Sequence, residues 1–98
     1  MGSIVVSPLA QQELDDIWYW IARDSIDAAE RHLARLEMTV KKLAQMPGMG
    51  QMRDDLSPGV LSFPVANHLI LYRRIESGIQ VIHFAHGAQQ LDRLNYKS

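Results

Sequence analysis

The side chains best suited to proton transfer are two histidines near the end of the last apolar segment, His83 and His86. His86 can serve as a general acid or base, or as a polar contact to a target. The favoured interpretation is structural: the ring ends a strand and bonds to backbone, and Gly87 lets the chain turn out of the sheet. Because the two rings stand three positions apart, a regular strand points them to opposite faces. The sequence therefore predicts no metal site, and no cofactor is expected.

Two arginines, Arg53 and Arg73, are candidates for binding a partner. A guanidinium fork can hold a carboxylate of a target or of a second protein through two hydrogen bonds. Equally, Arg73 can pair with a local acid or remain solvated, and Arg53 can tether Asp54 or Asp55 on its own loop. Both interpretations stay open for each arginine.

Tyr19 and Trp20 form a second set of binding candidates. The apolar residues around them recur at helical spacing, and these are Ala10, Leu14, Ile17, Trp18 and Ile21. Trp18 is therefore expected in the core, whereas a rotation of about 100° per residue places Trp20 on the flank of the stripe and Tyr19 far from it. An exposed Trp–Tyr pair is typical of an interaction surface. The alternative is that Trp20 covers the edge of a sheet.

These residues must be positioned by a chain whose first half reads as a strand and two helices. Ile4–Val6 is a β-branched strand. Ser7 is a good N-cap for the first helix, and Pro8 suits its first position. The cap of the second helix is either Asp27, in a capping box, or Ser25. The apolar stripe of the second helix is Ala29, Leu33, Leu36, Val40 and Leu43, and Pro47-Gly48 ends the helix.

The second half of the chain changes to the pattern of strands. The segment Pro47–Gly59 reads as a loop, and Glu76–Gly78 as a hairpin connection. The expected strands are Val60–Phe63, closed by Pro64, then His68–Ile75 and Ile79–His86. The order β-α-α-β-β-β predicts an α+β fold, a helical hairpin packed on a mostly antiparallel sheet. Residues 1–98 are expected to form one domain.

Composition excludes several classes of protein. The 98 residues are 47% hydrophobic, and ten Lys and Arg against eleven Asp and Glu leave a formal charge of −1. A protein that binds phosphates normally carries a positive excess, so direct DNA binding by this chain is not expected. The absence of cysteine excludes disulfides and a thiol nucleophile. No apolar run reaches the roughly 18 residues of a membrane span, and the N-terminus lacks signal-peptide features, so a cytoplasmic protein is expected.

Eight short motifs in this order resemble the ParE/RelE superfamily of bacterial toxins from type II toxin–antitoxin modules. The resemblance runs from about Val6 to Leu94 and is closest to the ParE, or plasmid-stabilisation, branch. The matching motifs are Ser7-Pro8-Leu9-Ala10, Leu14-Asp15-Asp16-Ile17-Trp18, Asp27-Ala28-Ala29, Met46-Pro47-Gly48-Met49-Gly50, Arg53-Asp54-Asp55-Leu56-Ser57-Pro58-Gly59, Ser62-Phe63-Pro64-Val65, Ile70-Leu71-Tyr72-Arg73 and His86-Gly87-Ala88.

The resemblance implies a toxin that a small cognate antitoxin neutralises. That antitoxin would be a DNA-binding dimer whose C-terminal tail folds on the toxin. ParE-like toxins act on DNA gyrase by binding. RelE-like relatives instead cleave messenger RNA on the ribosome, and in this alternative the catalytic candidates are Arg53, Arg73, His86 and Tyr96. A third possibility is a non-toxic remnant that still binds its antitoxin.

The charged residues favour binding over RNA cleavage. From Arg53 onward, five Lys and Arg residues are nearly balanced by four Asp and Glu residues, whereas RNA cleavage needs cations for the strained phosphate. Val60-Leu61 stands where many relatives carry an Arg, and Gln89-Gln90 replaces the Arg-Asp that usually follows His-Gly-Ala. We therefore expect a gyrase-binding toxin without a catalytic residue, and Tyr19, Trp20, Arg53, Arg73 and His86 are the expected partner contacts.

Overall fold

The structure, a computed structural model, describes residues 2–86. It contains two helices, α1 (Pro8–Ala22) and α2 (Ile26–Gln45), and a short 3₁₀ turn at Pro47–Met49. The strands are β1 (Ser3–Val6), β2 (Gln51–Met52), β3 (Val60–Val65), β4 (His68–Ile75) and β5 (Gly78–Ala85). Two helices on one mixed sheet confirm the predicted α+β class and the order β-α-α-β-β-β, to which β2 is added.

Both helices begin at serine caps. The Ser7 hydroxyl accepts a hydrogen bond from the amide of Ala10 (3.0 Å), and Pro8 occupies the first turn of α1. At α2 the Ser25 hydroxyl accepts from the amide of Ala28 (3.1 Å). Ser25 is therefore the cap that the sequence left open, and Asp27 lies in the first turn, where its negative charge faces the positive end of the helix dipole.

The sheet has the strand order β1-β5-β4-β3-β2. β1 is parallel to β5, and the other neighbouring pairs are antiparallel. The parallel pair requires a crossover, which the α1–α2 hairpin provides. Both helices consequently lie on one face of the sheet, above the main core of the chain. Neither helix within residues 2–86 combines the length and the apolar character needed to cross a membrane.

Two expectations about the strands were wrong. The segment Pro47–Gly59 is not all loop, because Gln51 and Met52 pair with Ser62 and Leu61 as β2. β3 does not end before Pro64 but continues to Val65. Pro64 is tolerated because β2 reaches only Leu61 and Ser62, so β3 has an open outer edge at the proline and loses no ladder hydrogen bond there.

Trp18 does not lie in the core, which corrects a further expectation. Its side chain is only partly buried, and its indole N–H donates to a carboxylate oxygen of Glu30 on α2. Ala10 and Leu14 are the buried residues of α1. An indole at the margin of the helical stripe keeps its polar N–H near water and a hydrogen-bond acceptor, which full burial would deny it.

Tyr72 ties the end of α2 to the sheet. Its side chain is fully buried, and its hydroxyl donates to the carbonyl of Pro47 (2.7 Å) and accepts from the amide of Gly50 (2.9 Å). Burial raises the pKa of Tyr72, so the hydroxyl keeps the proton that it donates. A Cβ on Gly50 would lie 2.2 Å from the hydroxyl oxygen. Glycine at this position is therefore required by a close approach.

Replacing Gly50 by Ala is expected to lower the free energy of unfolding by about 1–3 kcal/mol, since the tyrosine hydroxyl must move and gives up its hydrogen bonds. Denaturant unfolding followed by tryptophan fluorescence measures the change. Gly48→Ala is the matched control, because a Cβ there meets only the flexible end of Arg74 at 3.0 Å. Equal losses in the two variants would contradict this explanation.

Candidate functional site

An open groove lies between the two helices and the β3–β4 turn. Its volume is about 780 Å³, and its wall is mostly apolar. The lining residues are Glu13, Asp16, Ile17, Trp20, Ile21, Ala28, His32, Ala66, Asn67, His68 and His86. An apolar wall with a few converging polar groups is the usual form of a site that receives another molecule. Two residues that the sequence analysis selected, Trp20 and His86, meet in this groove.

Three histidine rings form a hydrogen-bonded chain along the groove. His32 Nε2 lies 3.0 Å from His68 Nδ1, and His68 Nε2 lies 3.3 Å from His86 Nδ1. The ring centroids are 4.9 Å apart in both pairs. His32 belongs to α2, His68 opens β4 and His86 follows β5, so the chain joins one helix to two neighbouring strands.

The central ring is held in its neutral form. His68 is 9% exposed, and burial, followed by the neighbouring rings of His32 and His86, lowers its pKa to about 4. Burial and the nearby Arg35 also lower the pKa of His32. In an unfolded chain His68 would accept its proton near the ordinary value of 6.5, well above the folded value. Its contribution to stability is therefore full above pH 6.5 and is lost as the pH falls towards 4.

Glu13 connects α1 to the part of β5 that extends beyond its pairing with β1. Its carboxylate accepts from the amide of Phe84 (3.0 Å) and lies 3.2 Å from His83 Nδ1. β5 bulges beside this contact, because the register against β4 shifts at Ile82. The Ser7 hydroxyl donates to the carbonyl of Ile82 (3.1 Å). Side chains of α1 thus satisfy backbone groups where β1 no longer runs beside β5.

Arg53 and Arg73 hold the β2–β3 connection. Arg53 makes a two-pronged ion pair with Asp55 (3.0 and 2.9 Å), which is the tether that the sequence left as one alternative. Arg73 donates to the carbonyl of Pro58 (2.7 Å) and to the hydroxyl of Ser57 (3.2 Å). These two acceptors are a backbone carbonyl and a hydroxyl group rather than an acid. The structure does not bring either arginine into the groove.

The aromatic pair of α1 is exposed, and only one member lines the groove. Tyr19 is 69% exposed and Trp20 is 70% exposed. Trp20 lies in the wall of the groove, with the guanidinium carbon of Arg23 at 5.3 Å from its ring centroid. Tyr19 instead meets the edge of Trp18, with 5.4 Å between ring centroids. Trp20 is too exposed to cover the sheet, so the alternative role considered for it is wrong.

The remaining candidates are His86 and Tyr96. His86 lies one residue beyond β5, which ends at Ala85 and not at His86 as predicted, and its ring forms a hydrogen bond with the ring of His68. Tyr96 lies outside the described residues. Among residues 2–86, no group of three or more histidine or acidic side chains is arranged to hold a metal ion.

Three residues of the site were not predicted from the sequence, namely Glu13, His32 and His68. One signal was available for His32, which stands three positions after Ala29 and four before Leu36, on the buried stripe of α2. A polar ring on an apolar stripe requires a partner. Nothing local identified that partner, because His68 is 36 residues further along the chain.

Comparison with known proteins assigns the family. Residues 4–91 match the family model described as the ParE toxin of the type II toxin–antitoxin system parDE. This chain belongs to the ParE toxin family. The match confirms the resemblance to the ParE branch that the sequence motifs carried, and it makes the chain a toxin of the type II class.

Individual relatives support the same assignment. Toxin ParE1 of Caulobacter vibrioides is 34% identical over 82 residues, which cover 80% of this chain and 84% of that protein. Toxin ParE3 of the same organism is 25% identical over 92 residues, covering 93% and 92%. A solved structure, described as the chromosomal ParDE toxin–antitoxin system from P. aeruginosa, superposes with a TM-score of 0.75 at 21% identity and covers 90% of this chain and 98% of its own. At that identity the superposition supports the fold.

Proposed function

We propose that this ParE-family chain is a toxin that a cognate antitoxin neutralises and that inhibits DNA gyrase by binding. The observation that carries the proposal is the open groove with an exposed Trp20 in its wall. An exposed indole in a concave apolar surface is typical of a protein-binding site. A gyrase-directed toxin acts in the cytoplasm, which is where we place this chain.

The alternative of RNA cleavage is disfavoured by the placement of its candidate residues. General acid–base catalysis requires groups within about 3 Å of the atoms that exchange the proton. His86 touches His68 at the start of β4, whereas Arg73 stands five positions further along that strand, roughly 16 Å away. Arg53 and Arg73 already hold their own loop. Phosphate-stabilising cations and the imidazole are therefore not assembled at one place.

We propose the groove as the surface that receives the antitoxin. The antitoxin is expected to be a small DNA-binding dimer, and its C-terminal tail would fold as it covers Trp20 and His86. DNA contact would come from the antitoxin, which suits the formal charge of −1 on the toxin. Exposed apolar surface on the free toxin explains why a tail without a fold of its own can gain binding energy there.

Expression of the chain without its antitoxin, with gyrase activity measured in parallel, tests the proposed function. The expected result is filamentation with an SOS response, and loss of supercoiling when purified toxin is added to gyrase. Rapid translation arrest with cuts at codon positions would favour the ribosome-dependent nuclease. Normal growth together with retained antitoxin binding would identify a non-toxic remnant.

Replacing Arg73 by Ala is expected to lower the free energy of unfolding by about 1 kcal/mol, because two hydrogen bonds to the β2–β3 connection are lost. If Arg73 acts only through stability, any loss of antitoxin affinity or gyrase inhibition should disappear when the assay is run under conditions that keep the variant folded. Arg53→Ala is the control, since its exposed ion pair with Asp55 contributes little to stability. A larger functional loss in Arg53→Ala than in Arg73→Ala would instead mark Arg53 as a direct contact.

A further inference from the structure

We propose that the hydrogen-bonded rings of His32, His68 and His86, which line the groove, form an acid-sensitive contact between α2 and the sheet. We call this contact the histidine latch. It accepts one proton with both of its hydrogen bonds intact, and a second proton releases α2 from the corner formed by β4 and the end of β5. The proposal concerns the fold of the chain itself and does not depend on which molecule the groove binds.

The limit of one proton follows from counting hydrogens in the chain. Three imidazoles have six ring nitrogens, and the two hydrogen bonds use four of them in pairs. Each pair can hold only one hydrogen, because a donor needs an acceptor opposite to it. Adding the two terminal nitrogens gives at most four hydrogens. Three neutral rings already hold three, so only one more proton fits.

A further consequence is that the neutral chain must have one direction. If His68 donates through Nδ1 to His32, its Nε2 can only accept, and His86 must donate through Nδ1. All three rings then carry hydrogen on Nδ1. In the opposite direction all three carry it on Nε2. The geometry therefore requires the same tautomer in all three rings at neutral pH.

The second proton opens the contact because of where the central ring lies. His68 is 9% exposed, so water cannot replace a broken hydrogen bond or solvate the added charge while the contact stays closed. The two charges would also repel each other within one short row of rings, whose neighbouring centroids are 4.9 Å apart. His86 is already exposed, so separation of α2 from the strands is needed to hydrate the other two rings, His32 and His68.

The charged groups around the chain set the pH of the two steps. Glu13 and Asp16 of α1 line the same groove, and their negative charges favour uptake of the first proton. Arg35 of α2 opposes it at His32. His83 of β5 is engaged with Glu13 and lies outside the chain of three rings. The β3–β4 turn adds Ala66 and Asn67 to the groove, neither of which is charged.

The test is a pH titration of the purified full-length chain with ¹⁵N-labelled histidine, from pH 8 to pH 4. At pH 8 the ring spectra should show one common tautomer for His32, His68 and His86. The first proton should be taken up without a change in amide exchange. The second should accompany an increase of tenfold or more in exchange around His32 and at the start of β4. Mixed tautomers, or two protons bound with unchanged exchange, would overturn the proposal.

Two variants at the central position isolate the latch. His68→Phe keeps an aromatic ring without its nitrogens, and His68→Gln keeps a polar side chain. In either variant His32 and His86 should titrate independently, and the acid-dependent rise in exchange at α2 should disappear. His83→Gln is the matched control, because His83 is not one of the three hydrogen-bonded rings. This variant should retain the acid-dependent rise in amide exchange. If both His68 variants fail to fold, the titration of the unmodified protein still decides the question, because it measures proton uptake and amide exchange together.

Discussion

Replacing Trp20 by Ala is expected to weaken binding of the cognate antitoxin about 30-fold, which corresponds to about 2 kcal/mol. The indole is 70% exposed in the free chain and forms part of the groove wall, so a partner that covers it removes a large apolar surface from water. Because the side chain contributes little to the core, the free energy of unfolding should change by less than about 0.5 kcal/mol. Calorimetric titration with the antitoxin and denaturant unfolding measure the two quantities.

Tyr19 provides a matched control for this prediction. It precedes Trp20 on the same helix and is equally exposed, at 69%, but it does not line the groove. Tyr19→Ala should therefore leave antitoxin affinity within a factor of about three. If Tyr19→Ala weakens binding as much as Trp20→Ala, the antitoxin covers the outer side of α1 and the groove is not its site. If neither variant changes affinity, the proposed surface is wrong.

Replacing Glu13 by Ala is expected to lower the free energy of unfolding by about 2–4 kcal/mol. The carboxylate accepts from the amide of Phe84 and pairs with His83. Its side chain is 14% exposed, so water cannot easily replace these contacts. Truncation leaves the Phe84 amide without its acceptor at the bulged part of β5. Chemical denaturation at pH 7 measures the loss.

Asp15 is the control for this substitution. It lies two positions away on α1, is exposed, and accepts a hydrogen bond from the Gln11 side chain one helical turn earlier. Asp15→Ala should change stability by no more than about 0.5 kcal/mol. Glu13→Gln is a second useful variant, because an amide oxygen can still accept from Phe84 while the charge is lost. A loss in Glu13→Gln as large as in Glu13→Ala would assign the effect to charge rather than to the backbone contact.

The histidine chain and Trp20 line the same groove. Trp20 forms part of the wall that a partner can cover. His68 is the most buried of the three histidines, and its pKa is about 4. Opening of the latch would displace α2, which supplies Ala28 and His32 to the groove. Antitoxin affinity should therefore fall over the same pH range in which amide exchange rises. Displacement of α2 would therefore weaken antitoxin binding by changing the groove wall, without any new contact between the two proteins.

Local sequence was sufficient for the two helices, for the order of the longer strands and for the family. Ser7 and Pro8 define the start of α1 because capping depends on neighbouring residues only. The change from helical to strand-like periodicity after Gly59 predicts the α+β class for the same reason. The motifs that resemble ParE toxins are likewise short contiguous segments, and the family match over residues 4–91 confirmed the resemblance.

Predictions failed where a residue depends on contacts that its own helix or strand does not determine. Trp18 satisfies the helical stripe, yet it lies at the margin of α1 and bonds to Glu30 of α2. β2 forms because Gln51 and Met52 find an unoccupied edge of β3, which their own pattern does not reveal. Each outcome was decided by a neighbouring element.

By itself, the sequence predicted the α+β class, the resemblance to ParE toxins, the start of α1 and the position of Trp20 on the flank of its apolar stripe. Only the tertiary structure decided that His32, His68 and His86 form one chain, and that Arg73 holds a loop. The physical reason is the distance along the sequence over which each interaction acts. Periodicity and capping act over a few residues, whereas the contacts of the histidine chain span 36 and 18 residues and depend on strand register and helix packing.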